Sequence, residues 1–224
     1  LREIVLDTET TGLDPQAGHR IVEVAAVELL HHMPTGAVFQ SYINPERDVP
    51  EEAERIHGLS AAFLGDKPRF AEVAEEFLAF IGEEQLVIHN AEFDLKFLNF
   101  ELQLLGQGPI IPSRAIDTVR LARQRFPGAQ VNLDALCKRF EIDNSSRSFH
   151  GALLDCELLA EVYLELRGGR QPGLELASAS TAKRTGPREG ERKRRAPRAH
   201  TASAAEQDSH QEMLSRLKDP IWRR

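Results

Sequence analysis

Three apolar runs with strand character precede the first helical period, and that order limits the folds open to this chain. Glu3 to Asp7 is a short apolar run ending in a polar turn, and Arg20 to Leu30 and Ala37 to Ile43 carry Val and Ile with partial two-residue alternation. Such segments in series predict a meander. The period then changes: Phe70, Val73, Ala74, Phe77, Leu78 and Ile81 follow the three-and-four spacing of an amphipathic helix, closed by Gly82. Leu86-Val87-Ile88 is too short for a helix and reads as a buried strand. Phe93, Phe97, Phe100 and Leu104 mark the inner face of the next helix, which ends near Gly106. Asp117 to Arg125 forms another, stopped at Pro127-Gly128, and Asn132 caps one over Leu133 to Phe140. The last runs from about Gly151 to Leu166. Strands first and helices later, with β-α crossings between, predict an α/β domain with a mixed central sheet flanked by helices.

With 224 residues, 41% of them hydrophobic, the chain can bury a real core. Composition changes after Arg167. Gly168-Gly169, Pro172-Gly173, the Ala/Ser run at 177–182 and the basic stretch to Arg198 carry no core-forming pattern. Residues 1–167 therefore read as one domain, 168–210 as a flexible linker, and 211–224 as a short docking segment with Met213, Leu214, Leu217, Ile221 and Trp222 as its apolar groups. Net charge is −7, yet 167–198 holds ten Lys or Arg against three Glu, so the first 166 residues are more acidic than the total suggests. An acidic body suits a polyanion poorly unless bound divalent ions reverse the sign locally. No apolar stretch approaches the roughly 20 residues of a membrane span. With no charged leader and apolar signal core at Leu1, the expected location is cytoplasmic. Cys137 and Cys156 lack metal-ligand spacing and read as buried free thiols.

The chemistry rests on acids. Asp7 and Glu9, in Ile4-Val5-Leu6-Asp7-Thr8-Glu9-Thr10-Thr11-Gly12, project from one face of a strand end, close enough to share a metal. Asp94 falls in the first turn of a helix, one residue after Phe93, where helix capping is the plain alternative. Asp155 lies among apolar residues of the last helix, an expensive place for a charge without a cation. His150 precedes that helix, where its ring can swing above a metal site. Asp117 reads as a cap.

Asp7-x-Glu9, Asn90-x-x-Phe93-Asp94 and His150-x4-Asp155 resemble the three motifs of the DEDD-type 3′ to 5′ exonucleases, histidine subclass. Val5 to Gly12, Leu86 to Ala91, Leu133 to Cys137 and His150 to Asp155 extend the likeness to that family's proofreading branch, associated with bacterial DNA polymerase III. The resemblance implies a ribonuclease H-like exonuclease fold. It implies that Asp7, Glu9, Asp94 and Asp155 hold two divalent ions, Mg²⁺ or Mn²⁺, about 4 Å apart. His150 would accept the proton of the attacking water, releasing 5′ mononucleotides from a DNA 3′ end. Thr10, Gly12 and Leu13 would line the terminal nucleotide, His57 and Glu52 would contact substrate, and Asn90 and Phe93 would shape a single-stranded channel.

In the tail, Gln171-Pro172-Gly173-Leu174-Glu175-Leu176 resembles a sliding-clamp-binding peptide through Gln171, Leu174 and Leu176. Pro220-Ile221-Trp222-Arg223 resembles the anchor to the polymerase catalytic subunit, with Trp222 as its main group. The resemblance allows a small accessory subunit as a third partner. Arg192-Lys193-Arg194-Arg195 reads as a solvated run. Two alternatives remain: a free-standing exonuclease of the same family acting on RNA or small oligonucleotides, and an inactive adaptor bridging polymerase and clamp.

Overall fold

A computed structural model describes residues 1–145, 147, 149–169 and 202–216. The clamp-like peptide with Gln171, Leu174 and Leu176, the basic run at 192–195 and the Trp222 segment lie outside them.

The first unit, Leu1–Glu175, is built on β1 (Arg2–Thr10). Ile4, Val5 and Leu6 are fully buried. A strand buried on both faces must be covered on both, and the pleat divides its side chains between the covers. Ile4 and Leu6 enter one layer with Phe70, Phe77 and Ile81 of α3 (Phe70–Ile81) and Phe97, Leu98 and Leu102 of α4 (Ala91–Leu104). Val5 enters the other with Leu136 and Cys137 of α6 (Leu133–Phe140) and Cys156, Leu159 and Tyr163 of α7 (Ala152–Leu166). Each fully buried Leu or Ile contributes about 1.5–3 kcal/mol.

Strand order is β3-β2-β1-β4-β5. β2 (Ile21–Leu30) runs antiparallel to β1 and to β3 (Met33–Tyr42), while β4 (Gln85–Ile88) and β5 (Ala115–Asp117) continue parallel. β1 pairs with β4 only from Glu3 to Val5, so Asp7 to Thr10 overshoot that neighbour. The carboxyl ends of β1, β4 and β5 share one edge, where α4 and α5 (Thr118–Arg125) begin. Open α/β sheets place their ligand sites at such an edge.

The expected meander, mixed sheet and flanking helices are present. β3 starts at Met33, earlier than its alternation suggested. His31 and His32 both take positive φ, 53° and 66°, and make a tight hairpin turn matched to strand twist. Neither β5, only three residues long, nor α1 (Glu51–His57) and α2 (Ala61–Leu64) were expected. Only Ala53 and His57 of α1 are buried, too few to print a period. Its acids in the first turn and Arg55 in the last complement the helix dipole. Asp117 caps α5 as read, accepting from the amides of Val119 and Arg120.

In the second unit, Leu176–Arg224, α8 (Ala204–Arg216) begins inside the stretch that composition assigned to linker. Ser203 and Glu206 form a capping box there, the Ser203 amide and hydroxyl donating to the Glu206 carboxylate at 2.8 Å. Among the described residues no helix is long and apolar enough to cross a membrane.

Candidate active site

Asp7 and Glu9 continue the face of β1 that carries Val5, so the pleat aims them at the layer holding α7. Asp155 lies in the first turn of that helix and is buried. Thr8 points to the opposite layer, where its hydroxyl donates to Asp94 Oδ1 at 2.7 Å from the first turn of α4. Alternate residues of one strand end thus reach both helices. Glu9, His150 and Asp155 place one ligand atom each within 4.8 Å of one another.

The carboxyl groups repel. Asp7 is pushed well above the usual carboxylate range, first by burial and then by Asp94, Glu9 and Asp155. Glu9 is pushed up to about 8 by burial, Asp155, Glu23 and Asp94, with Arg147 opposing. Asp94 rises to about 7, mainly through burial, against the lowering effect of its bond from Thr8. Contrast Glu3, at the other end of β1, whose buried carboxylate accepts from Tyr163 and His32, both at 2.6 Å. Buried carboxyl groups gathered this closely, their pKa values raised by burial and mutual repulsion, match the oxygen-donor chemistry of a hard divalent ion.

Those shifts carry a pH dependence. The ordinary values are 4.5 for Glu9 and 3.8 for Asp94. Between these and about 7 to 8 the folded chain holds protons that the unfolded chain has released, so stability falls as pH rises. Thermal melts in chelator should show a declining Tm from pH 5 to pH 8, and added Mn²⁺ should remove the decline by replacing the protons. A Tm that climbs across that window in chelator would contradict the shifts.

A cavity of about 530 Å³ adjoins the acids, lined by Glu9, Thr10, Gly12, Leu13, Glu52, His57 and Phe93 among others. That is within the range of a small-ligand site. Its wall between β1 and β2 is fastened to α4 twice: Arg20 forks onto Glu101 at 2.6 and 2.7 Å, and Lys96 pairs with Asp14 at 2.9 Å. At Gly12 a Cβ would stand 2.4 Å from the His19 ring, so any larger residue would displace that ring. Leu13 projects 82% exposed at the rim. His57 Nδ1 accepts from the Leu59 amide at 3.0 Å, which leaves the ring proton on Nε2, an atom with no partner among the described residues. Burial and the nearby His150 keep this ring neutral by lowering its pKa. The His150 amide donates to Ile56 O at 2.9 Å, tying the histidine segment to α1.

Asn90 lies outside that lining. It takes the left-handed N-cap position of α4 at φ 71°, a conformation asparagine tolerates. Sequence reasoning missed Glu23, His19 and Arg147. Glu23 stands opposite Glu9 across the β1–β2 pair, is buried, and accepts from the Ala152 amide at 3.1 Å, anchoring the start of α7. An acid inside Ile21-Val22-Glu23-Val24-Ala25 was the available signal; His19 and Arg147 sit in polar loops that gave none.

Residues 4–163 match the family model described as Exonuclease, RNase_T. The DNA polymerase III subunit epsilon of Rickettsia felis is 58% identical over 183 residues, covering 80% of this chain and 80% of the relative. That of Escherichia coli is 49% identical over 178 residues, covering 75% and 72%. Among solved structures, exonuclease X in complex with 5′ overhanging duplex DNA aligns at a TM-score of 0.59 and 28% identity, over 73% of this chain and 90% of that one. The nuclease domain of 3′hExo, a DEDDh family member bound to rAMP, aligns at 0.65 and 21% identity, over 74% and 91%, a likeness of fold alone. The fold expected from sequence, ribonuclease H-like, is the one found.

Proposed function

We propose a proofreading 3′ to 5′ DNA exonuclease from one premise: this chain belongs to the exonuclease family and, within it, to the DNA polymerase III epsilon subunits. The family is divalent-metal dependent. The observation that carries the reading is that Glu9 belongs both to the acid cluster and to the adjoining cavity. A terminal nucleotide seated in that cavity would present its phosphodiester to the carboxylates.

Asp7, Glu9, Asp94 and Asp155 would hold two ions, Mg²⁺ or Mn²⁺. Bound there, the ions would lower the pKa of the attacking water and stabilise the departing 3′ oxygen. His150 would take the water's proton. Thr8 fixes Asp94 and Glu23 fixes the start of the helix that carries Asp155, so the acids are held before substrate arrives. Thr10 and Gly12 would face the terminal sugar and base, and the exposed Leu13 would wedge against the next base. His57 would donate from Nε2, Glu52 would accept, Phe93 would pack on the nucleotide, and Asn90 would act at the channel's outer edge. A pocket of this kind grips an unpaired end, so a mispaired terminus that frays readily leaves faster.

The polymerase catalytic subunit would be the partner, engaged through Trp222, with the sliding clamp engaged through Gln171, Leu174 and Leu176 and a small accessory subunit as a third contact. The setting would be the cytoplasmic replisome. On this reading 1–167 is the catalytic domain, 168–210 the linker and 211–224 the docking segment.

The test is release of 5′ mononucleotides from matched and 3′-mispaired primers, and from RNA of the same sequence, with Mg²⁺ and then with EDTA. Faster release from the mispaired DNA, abolished by EDTA, is expected. Hydrolysis indifferent to chelation would sink the metal mechanism, and preference for RNA would sink the proofreading role.

A further inference from the structure

Arg147 is embedded in the acid cluster and has no part in the activity described so far. Its guanidinium lies across Asp155, Nε donating to Oδ1 and Nη2 to Oδ2, both at 2.6 Å. Nη1 donates to Asp134 Oδ1 at 2.8 Å, and Nη2 also reaches His150 Nδ1 at 3.0 Å. Guanidinium has donors and no acceptor, so His150 Nδ1 receives that bond with its lone pair. One side chain therefore covers both oxygens of Asp155 and one nitrogen of His150. Arg147 and Asp155 are 7% and 6% exposed at the side chain, so water screens the pair little.

A divalent ion held by Glu9 and Asp155 would need the carboxylate that the fork already spans, and would meet a fixed positive charge beside it. Fork and ion are alternatives on Asp155. Asp134 supplies the other seat. It lies in the first turn of α6, is 58% exposed, already holds Nη1, and is steadied by the Asn144 amide at 3.0 Å.

We propose that Arg147 is a positioning residue that works by exchange: a tethered cation that holds Asp155 and His150 in place and moves onto Asp134 when a divalent ion takes Asp155. The buried carboxylate is paired with a cation before and after the exchange, so the penalty of an unpaired buried charge never arises. Arginine suits this work because its planar fork fits a carboxylate and stays charged at any working pH. The inference rests on the metal role given above to Asp155.

Mn²⁺ binding to the full chain, followed by loss of the free-ion electron paramagnetic resonance signal, tests it without reference to activity. Arg147→Gln should bind Mn²⁺ about tenfold more tightly, the scale on which groups around metal ligands act. In chelator its Tm should drop below wild type, and saturating Mn²⁺ should close the gap. Unchanged or weaker Mn²⁺ binding by folded Arg147→Gln overturns the exchange. Should that variant not fold, Arg147→Lys decides: it keeps the charge and loses the fork, so modestly tighter binding supports exchange and equal or weaker binding overturns it. Asp155→Asn separates the two levels. Loss of Mn²⁺ binding there upholds the metal role, whereas full retention overturns that role and the exchange together.

Discussion

Asp7→Asn is expected to cut mononucleotide release by about 10³-fold or more while raising the Tm of the chelated protein. Asp7 stands among acids: Asp94, Glu9, Asp155 and Glu23 all push its pKa up after burial does. Without a cation beside it, a group so placed weakens the fold, either as a repelled anion or as a carboxyl holding a proton that the unfolded chain has released. Metal-site charge stabilisation is worth several kcal/mol, and each 1.36 kcal/mol is a factor of ten in rate. The same substitution removes that cost when no cation is present. A neutral amide of nearly the same shape should then gain about 1 kcal/mol, a rise of about 2–4 °C for a domain of this size. Single-turnover hydrolysis of a 3′-mispaired primer reads the first effect, and a melt in EDTA at pH 8 reads the second. Wild-type turnover, or a lower Tm in EDTA, would show that Asp7 is a structural carboxylate rather than a metal ligand.

Local periodicity exposed the parts of this site that lie on regular elements. Asp7 and Glu9 share a face because a strand repeats every two residues, and the overshoot of β1 past β4 frees that face at the sheet edge. Asp155 was visible as an acid flanked by apolar residues, and Asp94 as a first-turn acid beside the core-anchoring Phe93, where capping was the plain alternative. Their convergence was not, since it depends on β4 and β5 lying parallel beside β1, and β5 is too short to announce itself. Glu23 escaped because alternation sends every second residue to solvent, whereas β2 is buried nearly throughout its length. The cavity wall formed by α1 was hidden for the opposite reason: a helix that buries Ala53 and His57 alone has no stripe to read. Arg147 belongs to a polar segment between α6 and α7, and its role comes only from what the folded chain sets against it.

His150→Ala should leave Mn²⁺ binding nearly intact and lower turnover by about 10² to 10⁴, the usual size of a general acid or base contribution. The ring is half exposed, and its Nδ1 lies 3.7 Å from Asp155 Oδ2. On the roles proposed above, removing it keeps four carboxylates for the ions and takes away the base. The backbone hydrogen bond from His150 to Ile56 survives the substitution, and with it the tie between α1 and the segment leading into α7. KM for a short single strand should therefore change little, because the cavity walls at Thr10, Leu13 and Phe93 are untouched. Measuring turnover and KM on such a strand, beside Mn²⁺ affinity, distinguishes proton transfer from coordination. If metal affinity falls in parallel with turnover, His150 is a ligand, and the base must be sought elsewhere in the cleft.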